Sequence, residues 1–134
     1  MKDDLQTKRV YRSENKVFSD EEKLPELSIK LYFNKITRSS WFRAKYGNGY
    51  NLYFCGDYLY DYSYAGYKEI YLLKNEHFTE SSVLHELAHA VKRLRSKPHG
   101  RSFCKRYLEL INIYIGEEKF LELKKTFLKN KVKF

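Results

Sequence analysis

His85-Glu86-Leu87-Ala88-His89 constrains this chain more than any other stretch, because two imidazoles four residues apart can serve one ion together only if the segment is a helix. Positions i and i+4 share a helical face and lie about 6 Å apart along the axis. Both rings then reach a single zinc ion at about 2.0–2.1 Å per ligand nitrogen, which leaves Glu86 to take a proton from water held on that ion. The flanks agree with a helix: Val83, Leu84, Leu87, Ala88, Ala90 and Val91 form an apolar run, and Thr79 with Glu80 supplies a cap and an early-turn acid. The spacing predicts a metal helix over about 79–95. Two histidines packed in a core helix is the plainer alternative.

A tetrahedral catalytic zinc takes three protein ligands and keeps a fourth position open. Two residues compete for the third place. His99 follows Ser96-Lys97-Pro98, where proline drives its predecessor out of helical geometry and ends the helix. Glu109 lies on the next helical stretch, twenty residues beyond His89. His99 is favoured, since a break at Pro98 lets the chain fold back and sets His99 at a helix start; its other role would be a cap beside Gly100, for which histidine is poorly suited. The longer motif with glycine at 92 and a third histidine at 95 is excluded, because Lys92 and Arg95 stand there.

The run from His85 to Ala90, followed by His99-Gly100-Arg101-Ser102-Phe103, resembles the SprT-like branch of zinc peptidases. It is similar, more closely, to a family of small metallohydrolases from bacteria and phages. The resemblance extends to Arg9-Val10-Tyr11-Arg12-Ser13-Glu14 near the start and to Leu108-Glu109-Leu110, Ile115-Gly116-Glu117, Leu123 and Phe127 near the end; the middle third matches less. It implies a zincin-like α+β fold, a small antiparallel or mixed sheet packed against helices that include the metal helix. It also implies Zn²⁺ on His85, His89 and His99, with Glu86 as the base. There is no Cys-x-x-Cys pair, so the zinc ribbon of many SprT-like proteins is missing.

At 134 residues the chain has the size of one domain, 1–134, with a flexible basic tail at about 129–134. No stretch of about eighteen apolar residues and no signal-like start is visible, which predicts a cytoplasmic protein with no membrane partner. Cys55 and Cys104 read as reduced thiols, Cys104 as a small buried helix residue. Charge is uneven. Residues 1–87 carry 13 Lys/Arg against 13 Asp/Glu, while residues 88–134 carry 13 against 4, so the second part holds the entire net charge of +9. Six of those cations, Arg93, Arg95, Lys97, Arg101, Lys105 and Arg106, flank His99. A positive rim there would attract nucleic acid or acidic peptides; a solvated surface is the bland reading, and for the Lys-rich tail the preferred one.

Periodicity orders the remainder. A helix is predicted from Asp3 to about Phe18, with Ser19 to Glu22 as a break. Residues 24–46 give a mixed signal: Ile29, Leu31 and Phe33 alternate like a strand, whereas Leu24, Leu27, Leu31 and Trp41 keep helical spacing, and the resemblance favours helix. Gly47-Asn48-Gly49 predicts a turn, followed by strands at Tyr50–Cys55, Tyr58–Tyr64 and Tyr67–Leu73, with turns at 55–57 and at Ala65-Gly66. Two helices follow the metal helix, at about 100–114 and from Glu117 toward Lys129. Nine of the 13 tyrosines fall between 46 and 71, with Tyr58, Tyr60, Tyr62 and Tyr64 at period two. Such a row can stack on bases or, more commonly, pack a small sheet.

Two functions from different classes fit. One is a zinc-dependent hydrolase, above all a metallopeptidase acting on protein or peptide, with a DNA-associated substrate as an extension through the basic second part. The other is a nucleic-acid or protein-binding module with structural zinc. Glu86 favours the first, since a structural site needs no carboxylate beside its first ligand and usually closes its fourth position with Cys or His.

Overall fold

Asp4 opens the first helix by accepting the Thr7 N–H at 2.7 Å, and α1 then runs over Leu5–Val17. The computed structural model describes residues 4–55, 63–74, 77–91 and 98–134. These fall into two units, one from Met1–Glu21 with Leu94–Phe134 and the other from Glu22–Arg93. Across both, the described residues form an α+β protein with six helices and a three-stranded mixed sheet. Among them no helix is long and apolar enough to cross a membrane.

In the first unit α5 (Arg101–Tyr114) packs on α6 (Glu117–Lys129), and α1 packs on α6. Each helix buries one stripe at spacings of three and four: Thr7, Val10, Ser13 and Val17 on α1; Phe103, Cys104, Tyr107, Leu108, Leu110 and Ile111 on α5; Leu123, Thr126 and Phe127 on α6. Gly116 separates α5 from α6 at φ 140°, ψ 167°, a conformation open essentially to glycine alone. The chain end, where the sequence predicts a loose tail, is pinned to α1. Asn130 Nδ2 donates to Ser13 Oγ at 2.9 Å, and Gln6 exchanges two hydrogen bonds with the Lys133 backbone, Nε2 to O at 2.9 Å and N to Oε1 at 3.0 Å.

The second unit starts with α2 (Glu26–Thr37) behind Pro25 and α3 (Ser40–Tyr46) behind Ser39. The mixed stretch is therefore helical, but its inner face is Ile29, Phe33, Ile36 and Thr37, while Leu27 and Leu31 are more than half exposed. The predicted turn at 47–49 holds, with Gly47 at φ 81° and Gly49 at φ 90°. Strand β1 (Asn51–Cys55) pairs in parallel with β3 (Glu69–Leu73), and β2 (Tyr64–Gly66) pairs antiparallel on the other side, giving the order β1-β3-β2.

The hairpin turn falls at Tyr67-Lys68, so Ala65 and Gly66 belong to β2 and the expected turn moves two residues on. Lys68 sits at φ 61°, unusual for a lysine. Its N–H donates to Ala90 O at 2.9 Å and its Nζ to Asn48 O at 2.8 Å, contacts that hold it there. Most of the predicted strand 58–64 lies outside the described residues.

Alternation on β3 turns Ile70 and Leu72 inward and Tyr71 outward. Tyr71 stacks between Tyr53 and Tyr64, with ring centroids 4.9 and 4.3 Å apart, in the cross-strand register Tyr53↔Tyr71↔Tyr64. These three tyrosines turn their ring faces on one another, while Tyr58, Tyr60 and Tyr62 of the predicted row lie outside the described residues. Helix α4 (Glu80–Ala90) packs against β3, β2 and α2, and its N-cap Thr79 accepts the Ser82 N–H at 3.2 Å. Eight of its 11 residues are buried, Ser81, His85 and Glu86 among them. Its predicted continuation, 92–95, lies outside the described residues.

Candidate metal centre

From Val83 to Ala90, His85, Glu86 and His89 are the polar residues of α4 among buried apolar neighbours. His85 and Glu86 are each 7% exposed, and His89 is half-buried. The two rings lie 5.1 Å apart at 68°, as expected for neighbours one turn apart.

His99 is positioned by different means, since it belongs to no helix. It immediately precedes Gly100, the N-cap of α5, as the break at Pro98 predicts. Its ring is gripped from three sides. Thr7 Oγ1 lies 3.1 Å from Nδ1, the Tyr11 ring meets it edge-on at 5.0 Å and the Phe103 ring at 5.1 Å. Gln6 Nε2 fixes the backbone by donating to His99 O at 3.0 Å. The side chain is 8% exposed.

His85, His89 and His99 are the group the structure brings together: one ligand atom from each lies within 4.8 Å of the others, and together they could hold a metal ion. Glu109, the other candidate the sequence offers, is not a member of that group. A tetrahedral zinc with bonds of about 2.05 Å would set its ligand nitrogens roughly 3.3 Å apart, which asks for small side-chain adjustments from this arrangement. Three neutral imidazoles suit zinc, copper, iron or nickel better than the hard, oxygen-seeking calcium or magnesium.

Cys104 lies one turn into α5 but plays no part in the group. Burial, and then the nearby Glu14 carboxylate, push its thiol up to about 12. Its Sγ donates to the His99 carbonyl at 3.7 Å, and among the described residues neither Cys55 nor Cys104 forms a disulfide. His77, which no sequence pattern recruits, pairs through Nδ1 with Ser63 Oγ at 2.6 Å; that hydroxyl also accepts the Leu73 N–H at 2.8 Å. This is a clip between a bend and the end of β3.

Thr7 and Gln6 are the residues that sequence reasoning misses. They stand more than ninety positions from His99, and no sequence pattern singles out either position. Of the six cations predicted to flank His99, Arg101 and Lys105 are exposed and Arg106 is half-buried, donating to Ser102 Oγ at 2.6 Å; the other three lie outside the described residues. No protein-family model, curated protein or solved structure matches the chain.

Proposed function

We propose that this protein is a zinc-dependent hydrolase of zincin-like organisation, a metallopeptidase in which His85, His89 and His99 hold the ion and Glu86 is the general base. The observation that carries the reading is the set of three clustered histidines with a buried carboxylate next to the first of them on α4. Three protein ligands leave a fourth position for a reactant, the arrangement of catalytic rather than structural zinc. When bound, zinc supplies a Lewis acid that polarises the scissile carbonyl and acidifies water.

The chain's own residues do the rest. Glu86 accepts the proton of the attacking water and returns it to the leaving amine, so one carboxylate serves as base and then as acid. The rigid backbone of α4 keeps the base in a constant relation to the two ligands on its own helix, which lowers the reorganisation needed at reaction. Hydrolysis of casein-like protein and of DNA-crosslinked protein is the direct assay. Activity should disappear on chelation and return with Zn²⁺ but not with Mg²⁺. Turnover that persists after complete metal removal would contradict the reading.

The basic second part of the chain supports DNA-associated protein as the substrate class. If Arg101, Lys105 and Arg106 each neutralise one phosphate, DNA affinity should fall on the order of 40-fold for a fourfold rise in salt. Arg101→Glu should weaken binding more than Lys131→Glu and flatten the salt slope by about one unit. Equal effects at the two positions, followed by titration in varied salt, would reduce the contribution to diffuse charge.

A further inference from the structure

Thr7 stands against the one ligand that no helix presents. His99 lies in the turn before α5, so its ring orientation has to be set by contacts rather than by helical geometry. Those contacts converge from α1. Thr7 Oγ1 engages Nδ1 at 3.1 Å, Tyr11 one turn further abuts the ring, and Gln6 holds the His99 carbonyl at 3.0 Å. With Nδ1 directed at a hydroxyl, the nitrogen left to face a metal is Nε2. A histidine that ligates through one nitrogen commonly anchors the other on a second group, which fixes tautomer and ring plane.

We propose that Thr7 is a positioning residue for the metal centre, accepting the Nδ1–H of His99 so that Nε2 is presented to the ion. The inference rests on the reading of His85, His89 and His99 as ligands. The same helix carries the load from the chain end, since Gln6 bonds both the His99 carbonyl and the Lys133 backbone. Residues from both ends of the sequence thus set the mount of one ligand.

The test is a competition titration of the full chain with Zn²⁺ against a chromophoric chelator. Thr7→Val keeps shape and removes the hydroxyl, and should raise the zinc Kd about 10- to 100-fold, the usual effect of losing such a partner. Thr7→Ser restores the acceptor and should return Kd close to wild type. A purely structural role would lower the melting temperature of the metal-free chain and leave Kd unmoved. Should Thr7→Val fail to fold, Thr7→Ala, a good helix former, removes the same hydroxyl. Wild-type Kd in a folded variant lacking the hydroxyl overturns the role of Thr7 alone. Absence of zinc binding in the wild type overturns the ligand reading, and this inference with it.

Discussion

Glu86→Gln is expected to keep the metal and lose the reaction. The side chain is 7% exposed within a helix packed against β3, β2 and α2, so a replacement of equal size is the one that tests chemistry without opening a hole. Glutamine has nearly the same helix propensity as glutamate, and zinc content and melting temperature should stay close to wild type. The amide cannot accept the proton. Loss of a general base costs about 10²–10⁴ in rate, and the upper end applies where the same carboxylate also protonates the leaving amine. Reactions on casein-like and on DNA-crosslinked protein should be run side by side, because the natural substrate class enters only through the basic second part of the chain. Full hydrolytic activity in Glu86→Gln would remove Glu86 from the mechanism. A wild type that cleaves neither substrate but binds DNA only with zinc present would favour a structural role for the metal.

What was legible in the sequence follows the range of the physics involved. Helix α4 is readable because its causes are local: a threonine cap at Thr79, an apolar run, and two candidate ligands at helical spacing, all within twelve residues. Helices α1, α5 and α6 were readable for the same reason, with Gly116 marking the break between the last two. The stretch 26–46 shows where local reading stops. Helix was the right state, but Leu27 and Leu31, which supported it, point to solvent, while Ile29 and Phe33, read as strand alternation, form the buried face with Ile36. A spacing of four serves both patterns, and only packing against α4 decides which side is inner.

The hairpin turn was misplaced for a related reason. Glycine at 66 is the stronger local signal, yet Lys68 takes the positive φ because Ala90 O at the end of α4 accepts its N–H. A tertiary contact outweighed the local preference. Of the candidate site, His85, Glu86 and His89 could be named from the motif alone. His99 could be preferred over Glu109 by the proline break, and its membership of the cluster then came from the fold. Thr7 and Gln6 were invisible, since a threonine and a glutamine in an ordinary amphipathic helix carry no spacing signal toward a residue more than ninety positions away.

On the proposed mechanism these three histidines, and no carboxylate, hold one zinc ion. Removing one of three protein ligands leaves too few donors to compete with a chelating buffer, so the effect on occupancy should be nearly all-or-none. The direct measurement is elemental analysis of purified wild type, His85→Ala, His89→Ala, His99→Ala and Glu109→Ala after exchange into such a buffer. Wild type and Glu109→Ala should carry close to one zinc per chain, and the three histidine variants close to none. Zinc retained by His99→Ala and lost from Glu109→Ala would contradict the account.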